Sequence, residues 1–168
     1  MSRDAVVIWL AQGLGSGRAS KAPGTWGSLV GMAWAALLMS TGNPWLLWGA
    51  ALAGVAGAVW VSGEAERILG SHDPGSVVID EIVAIPLCFA VPWWSRAVGG
   101  GSHEGGVGLL GGWPWWLPCL VFVLFRVFDI AKPWPVRQAQ RLPGGWGVVA
   151  DDVLAALWVN AVLLLVVR

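Results

Sequence analysis

Two adjacent acid pairs each stand at the head of a long apolar run: Asp80-Glu81 before residues 82–91, and Asp151-Asp152 before residues 153–167. A carboxylate at the edge of a membrane-length run is costly unless it has a partner or a use. Any fold of this chain must therefore bring four such groups to cations, to water or to one another. The surroundings repeat as well, Ser76-Val-Val-Ile-Asp-Glu-Ile-Val-Ala84 against Gly147-Val-Val-Ala-Asp-Asp-Val-Leu-Ala155. The duplication reads as a metal site assembled from two helix starts. Neighbouring helical residues splay by about 100°, so one acid of a pair ligates while the other braces it or meets a second ion. Oxygen-only ligands favour a hard cation, Mg2+ or Mn2+. Helix capping explains one acid in a first turn but explains two repeated pairs poorly.

The rest of the chain fixes the setting. Only 12% of its 168 residues are charged and 57% are hydrophobic, where a soluble domain carries about 25% charged residues. With a mean hydropathy of +0.68, the expectation is an all-α polytopic membrane helix bundle with about four to five membrane-embedded helices, residues 1–168 forming a single domain. The candidate segments are 28–41, 44–62, 77–94, 113–130 and 148–167; a full span needs about 20 residues, so the first is short. Trp26, Trp45, Trp93, Trp94, Trp113, Trp115, Trp116, Trp134 and Trp146 cluster near segment ends, as interfacial aromatic belts do. The apolar run 5–11 is too short for a signal peptide. Cys88 and Cys119 lack metal-type spacing and read as core or lipid-facing residues. A net charge of zero gives no reason to expect a nucleic-acid partner.

Threading five segments through a bilayer puts every candidate chemical group on one face. That face also holds Arg3, Arg18, Lys21, Arg67, Arg126, Lys132, Arg137 and Arg141, against Arg96 and Arg168 on the other. The positive-inside rule makes it cytoplasmic. The glycine-rich stretch 99–112, with His103 and Glu104, reads as a flexible outer linker.

Two further blocks carry chemistry. In Phe125-Arg-Val-Phe-Asp-Ile-Ala-Lys-Pro-Trp-Pro135, Arg126 and Asp129 share a helix face. They form either a structural ion pair, or a metal ligand beside a phosphate-binding cation, with Lys132 as a second cation. Residues 13–28 are glycine-rich, carry Arg18 and Lys21 and precede an apolar helix. They suit an anion site, or a close-packing face through Gly27 and Gly31. The Gly-Lys-Ser/Thr ending of a Walker A loop is missing. Glu64, Glu66 and Asp73 are lesser candidates, with Glu64 a possible further ligand or general base, and His72 is a loop residue.

Taken together, Lys21-Ala-Pro-Gly-Thr-Trp-Gly-Ser28, Val78-Ile-Asp-Glu-Ile-Val83, the block from Phe125 to Pro135 and Asp151-Asp-Val-Leu-Ala155 resemble the phosphatidylglycerophosphatase A family of bacterial membrane enzymes, in family order and over most of the chain. Ala84 and Ala156 stand where the family usually has glycine, each adding a methyl group. The resemblance implies Mg2+-dependent hydrolysis of phosphatidylglycerophosphate to phosphatidylglycerol and phosphate on the cytoplasmic leaflet of the bacterial inner membrane. Asp80, Glu81, Asp129, Asp151 and Asp152 are then the expected metal and catalytic acids, with Glu64 as a further ligand. Lys21, Thr25, Ser28, Arg126 and Lys132 are expected to bind the substrate phosphate, Lys132 also serving catalysis. Membrane lipid is the expected surrounding partner, and the oligomeric state is left open. The rival from another class is a small ion or proton-coupled transporter using the acidic cluster, although the acids sit at one face rather than at the midplane.

Overall fold

The structure, a computed structural model, describes residues 1–98 and 114–166. The outer-linker reading of 99–112, with His103 and Glu104, falls outside the described residues, as does Arg168. Every regular element among the described residues is helical: α1 (Arg3–Ala11), a 3-10 turn (Gly13–Arg18), α2 (Pro23–Ser40), α3 (Pro44–Leu69), α4 (Ile79–Ala84), a second 3-10 turn (Ile85–Phe89), α5 (Ala90–Val98), α6 (Trp116–Ala131), α7 (Val136–Ala139) and α8 (Gly145–Val166).

Local chemistry sets the boundaries. Pro23 and Pro44 sit in the first turns of α2 and α3, where a missing N–H costs nothing. Asn43 caps α3 by accepting from the N–H groups of Trp45 and Leu46, and Gly70, at φ 64°, ends it in the left-handed conformation that glycine takes without strain. α8 lies at the centre, against α3, α4, α5, α6 and α7, while α2 packs on α4. The main core joins Leu47, Ile85, Phe89, Leu117, Phe125, Val159 and their neighbours.

One expectation is corrected. The third apolar segment, 77–94, is not one helix but α4, a 3-10 turn and α5, broken where Pro86 removes a donor. Asn160 of α8 fills the break. Its Oδ1 accepts from Val91 N at 2.8 Å and its Nδ2 donates to Leu87 O at 2.8 Å. One side-chain amide thus takes the place of the i to i+4 bond between Leu87 and Val91. Of the four to five membrane-embedded helices expected, two among the described residues, α3 and α8, are long and apolar enough to cross a membrane; α2 has 18 residues and α6 has 16, short of the roughly 20 that a full span takes.

The outer surface is apolar where a soluble protein's would be charged. Leu37, Leu52, Val123, Leu157 and Leu164 are exposed along α2, α3, α6 and α8, and Trp45, Trp94, Trp115, Trp134 and Trp146 are exposed near helix ends. This surface suits association with a membrane.

Replacing Asn160 with leucine strands Val91 N, while Leu87 O keeps the N–H of Ala90, and a buried unpaired group costs about 1–3 kcal/mol. Asn160→Leu is expected to lower the thermal unfolding midpoint of the detergent-purified protein markedly. An unchanged midpoint would mean the amide bridge does not hold the break together.

Candidate active site

All four paired acids are buried: Asp80 is 6% exposed, Glu81 8%, Asp151 4% and Asp152 3%. The two pairs enter differently. Asp80 and Glu81 occupy the first turn of α4. Asp151 and Asp152 do not start a helix, because α8 begins at Gly145 and its first turn carries no acid. The reading of two helix starts is thus corrected to one start and one second turn.

These acids meet in a cavity of about 130 Å3, lined by Asp73, Gly75, Val77, Asp80, Glu81, Asp129, Lys132, Asp151 and Asp152. At roughly 30 Å3 per molecule of liquid water, it has room for a small polar group with a few waters. Carboxylate oxygens of Asp80, Glu81 and Asp152 lie within 4.8 Å of one another. Asp80 Oδ1 and Glu81 Oε2 are buried without a hydrogen-bond partner among the described residues. Buried acceptors ordinarily find donors, and three carboxylates facing each other repel. An all-oxygen donor set with two open lone-pair groups fits a hard divalent cation held by Asp80, Glu81 and Asp152.

The other acids are paired. Lys132 Nζ donates to Asp151 Oδ2 at 2.5 Å, and Asp151 Oδ1 accepts from the N–H of Asp152 at 3.1 Å. Lys132 closes α6 in the left-handed conformation, φ 45°, its N–H bonded to Phe128 O. Burial opposes its charge, but the hydrogen bond and the charge of Asp151, with Asp129 and Asp152 beyond, hold its pKa above the ordinary lysine value. Asp129 accepts from Arg126 Nη1 at 2.6 Å. The same nitrogen lies 3.6 Å from Glu81 Oε1 and donates to Ser28 Oγ at 3.4 Å, while Ser28 donates in turn to Gly24 O.

α2 approaches closely enough to make these contacts because it lacks side chains where it crosses α4. A Cβ on Gly24 would collide with Glu81 Oε1, one on Gly27 would lie 2.7 Å from Val78 Cβ, and one on Gly31 2.9 Å from Ile85 Cγ1. The glycine-rich block therefore acts here as a packing face that cradles Glu81.

The expected residues thus divide. The cavity brings together Asp80, Glu81, Asp129, Asp151, Asp152 and Lys132. Of the groups expected at phosphate, Lys132 alone lines it. Arg126 stands behind the wall, committed to Asp129, Glu81 and Ser28, and lines an apolar groove of about 440 Å3 on its other side with Phe122, Val123, Val127 and Ile130. Lys21 and Thr25 do not line the cavity; Lys21 is exposed and Thr25 half-buried. Glu64 lies elsewhere too, its carboxylate taken by Arg67 at 2.8 Å and Arg3 at 3.6 Å. Sequence reasoning passed over Gln140, which donates from Nε2 to Asp73 Oδ2 at 2.6 Å across 67 positions, a separation that leaves no local signal.

The chain matches the family model described as phosphatidylglycerophosphatase A over residues 9–167. It belongs to the phosphatidylglycerophosphatase A family. A Haemophilus influenzae protein named phosphatidylglycerophosphatase A is 38% identical over 152 residues, 89% of this chain and 81% of that protein. The Escherichia coli protein of the same name is 31% identical over 150 residues, covering 88% and 76%. A Bacteroides thetaiotaomicron protein named "Putative phosphatidylinositol-3-phosphatase" is 36% identical over 167 residues, covering 96% and 92%. No solved structure matches the chain. Membership of a phosphatase family gives the transporter alternative no support.

A ligand that binds only the folded state stabilises it, by about 2.7 kcal/mol at a hundredfold excess over Kd. Adding Mg2+ or Mn2+ to the purified protein is therefore expected to raise its unfolding temperature. Asp80→Asn and Asp152→Asn should stay folded and lose most of that shift. A full shift in both variants would remove the three-carboxylate cluster as a cation site.

Proposed function

We propose that this protein is a Mg2+-dependent lipid phosphatase that hydrolyses phosphatidylglycerophosphate to phosphatidylglycerol and phosphate. The observation that carries the proposal is the cavity itself: three buried carboxylates close together, two of them with an oxygen short of a partner, stand beside an ion-paired lysine in a chain of this family. The relatives named phosphatidylglycerophosphatase A supply the substrate.

Asp80, Glu81 and Asp152 hold the cation, and bound Mg2+ supplies charge neutralisation at the phosphate oxygens. Lys132 presents three donors on a flexible stem and places positive charge beside the transferring phosphoryl group. Asp151 aims Lys132 and keeps it protonated. Asp129 and Glu81 hold Arg126 at the cavity wall, from where its fork can meet phosphate once substrate enters; Arg126 Nε has no partner among the described residues. Lys21, Thr25 and Ser28 are proposed to contact the headgroup from the start of α2. Water is the nucleophile: its oxygen bonds to phosphorus as the bond to the glycerol oxygen breaks.

The setting is proposed as one domain over residues 1–168 in the bacterial inner membrane, with four to five helices embedded. In this arrangement α2 and α6 tilt or stop short, while α3 and α8 cross. The excess of Lys and Arg near the cavity end supports a cytoplasmic face. The acyl chains then stay in the bilayer while the headgroup reaches the acids.

Phosphate release from phosphatidylglycerophosphate, measured in detergent, is expected with Mg2+ and expected to stop with EDTA. Asp80→Asn and Asp152→Asn should each lose at least a hundredfold in kcat while still inserting into membranes. Phosphatidylinositol 3-phosphate, the substrate class in the Bacteroides relative's name, serves as the comparison lipid. Rapid release from it alone would replace the proposed substrate; near-normal turnover in both variants would refute the acids' role.

A further inference from the structure

Six carboxylates line the cavity, and five are already committed. Asp80, Glu81 and Asp152 form the cluster suited to a cation. Asp151 is paired with Lys132 and Asp129 with Arg126. The sixth, Asp73, is held differently: its Oδ2 accepts from the neutral carboxamide of Gln140, and no cation pairs with it among the described residues.

Its placement is closely determined. Asp73 lies in the link between α3 and α4 in the left-handed region, φ 46°, which side chains other than glycine seldom adopt. Glu66, near the end of α3, fixes it there: Glu66 Oε1 accepts from Asp73 N at 2.8 Å and meets His72 Nδ1 at 2.6 Å. Gln140, between α7 and α8, clamps the carboxylate from the other side. The end of α3, seven residues away, and Gln140, 67 residues away, thus hold an uncommon backbone conformation in which this carboxylate lines the cavity. Strain kept in place by its surroundings is a pointer to function.

We propose that Asp73 is the general base of the reaction. This rests on the phosphatase reading above. Ion-paired carboxylates are poor proton acceptors and cation ligands have their lone pairs occupied, which leaves Asp73 as the acid in the cavity free to take a proton. As the water oxygen bonds to phosphorus, one O–H proton passes to Asp73. The bond from phosphorus to the glycerol oxygen breaks, its electron pair stays with that oxygen, and solvent water protonates the alkoxide. Release of phosphate lets Asp73 return its proton to water. Gln140 and Glu66 are positioning residues: they aim the base without touching substrate.

Asp73→Asn keeps an oxygen to accept from Gln140 and removes the basicity. A positioned general base contributes about 10²- to 10⁴-fold, so kcat should fall at least a hundredfold. KM and the thermal shift given by Mg2+ should stay close to those of the parent. In Asp73→Gly, added formate should restore part of the lost rate, which a purely structural role would not allow. Gln140→Leu should lower kcat by less than Asp73→Asn and gain nothing from formate. Asp73→Asn with kcat within threefold of the parent, beside an inactive Asp152→Asn, would overturn the base assignment and leave the phosphatase reading intact. No phosphate release by the parent protein would overturn both.

Discussion

The energetic constraint on this fold is the burial of carboxylates in an apolar helix bundle. Moving an unpaired charge out of water costs several kcal/mol even after relaxation, and here the four acids of two adjacent pairs are each less than a tenth exposed. The architecture reads as the set of arrangements that lowers this cost. α6 ends where Lys132 can reach Asp151. Arg126, two turns earlier in that block, meets Asp129 and Glu81. α2 gives up side chains at Gly24, Gly27 and Gly31 so that it can lie against α4 and bring Ser28 to Arg126. What these contacts leave over is the cluster of Asp80, Glu81 and Asp152, whose mutual repulsion a divalent cation relieves. Stability and binding chemistry are therefore not separable at this site.

The same constraint explains Asn160. A polar side chain in an apolar helix is as conspicuous as an acid, and its use is comparable: it completes the backbone of a neighbouring segment that Pro86 has broken. Because the break falls directly after α4, the helix carrying Asp80 and Glu81 can end after one and a half turns and still be anchored to α8 through Asn160. The helices that carry the two acid pairs are thus also joined by a contact to the segment that directly follows α4.

Much of this was legible in the sequence, and the parts that were not share a cause. The helix start at Pro44 was legible from local backbone chemistry, and the acid pairs, Asp129 and Lys132 stood out by composition against apolar neighbours; α2 starts at Pro23, before the segment read from 28, and α3 runs to Leu69, past the segment read to 62. The break at Pro86 was missed because an apolar run of span length outweighs one proline in a periodicity reading. α8 begins before the repeat suggested because Gly145 packs on α3, where a Cβ would strike the Val59 carbonyl, and close packing has no sequence periodicity. Gln140 and Asn160 act across 67 and 69 positions, and of the partners of Arg126 the spacing shows Asp129 but not Glu81 or Ser28. Sequence spacing reports neighbours along a helix; it is silent on which loop closes over which cavity.

The left-handed residues sharpen that point. A helix that ends in this conformation usually does so on glycine, yet α6 ends on Lys132, and the link before α4 turns on Asp73. A non-glycine residue there costs about 1–3 kcal/mol unless its surroundings impose it. In both places the surroundings do so through the side chain: Lys132 is held by Asp151, and Asp73 by Gln140 and, through its N–H, by Glu66. Glycine would relieve the backbone and empty the cavity wall. Of the four non-glycine residues at positive φ among the described residues, Leu14, Ala22, Asp73 and Lys132, the last two thus help give the cavity its charge pattern, one a fixed cation and the other a carboxylate with no cation of its own.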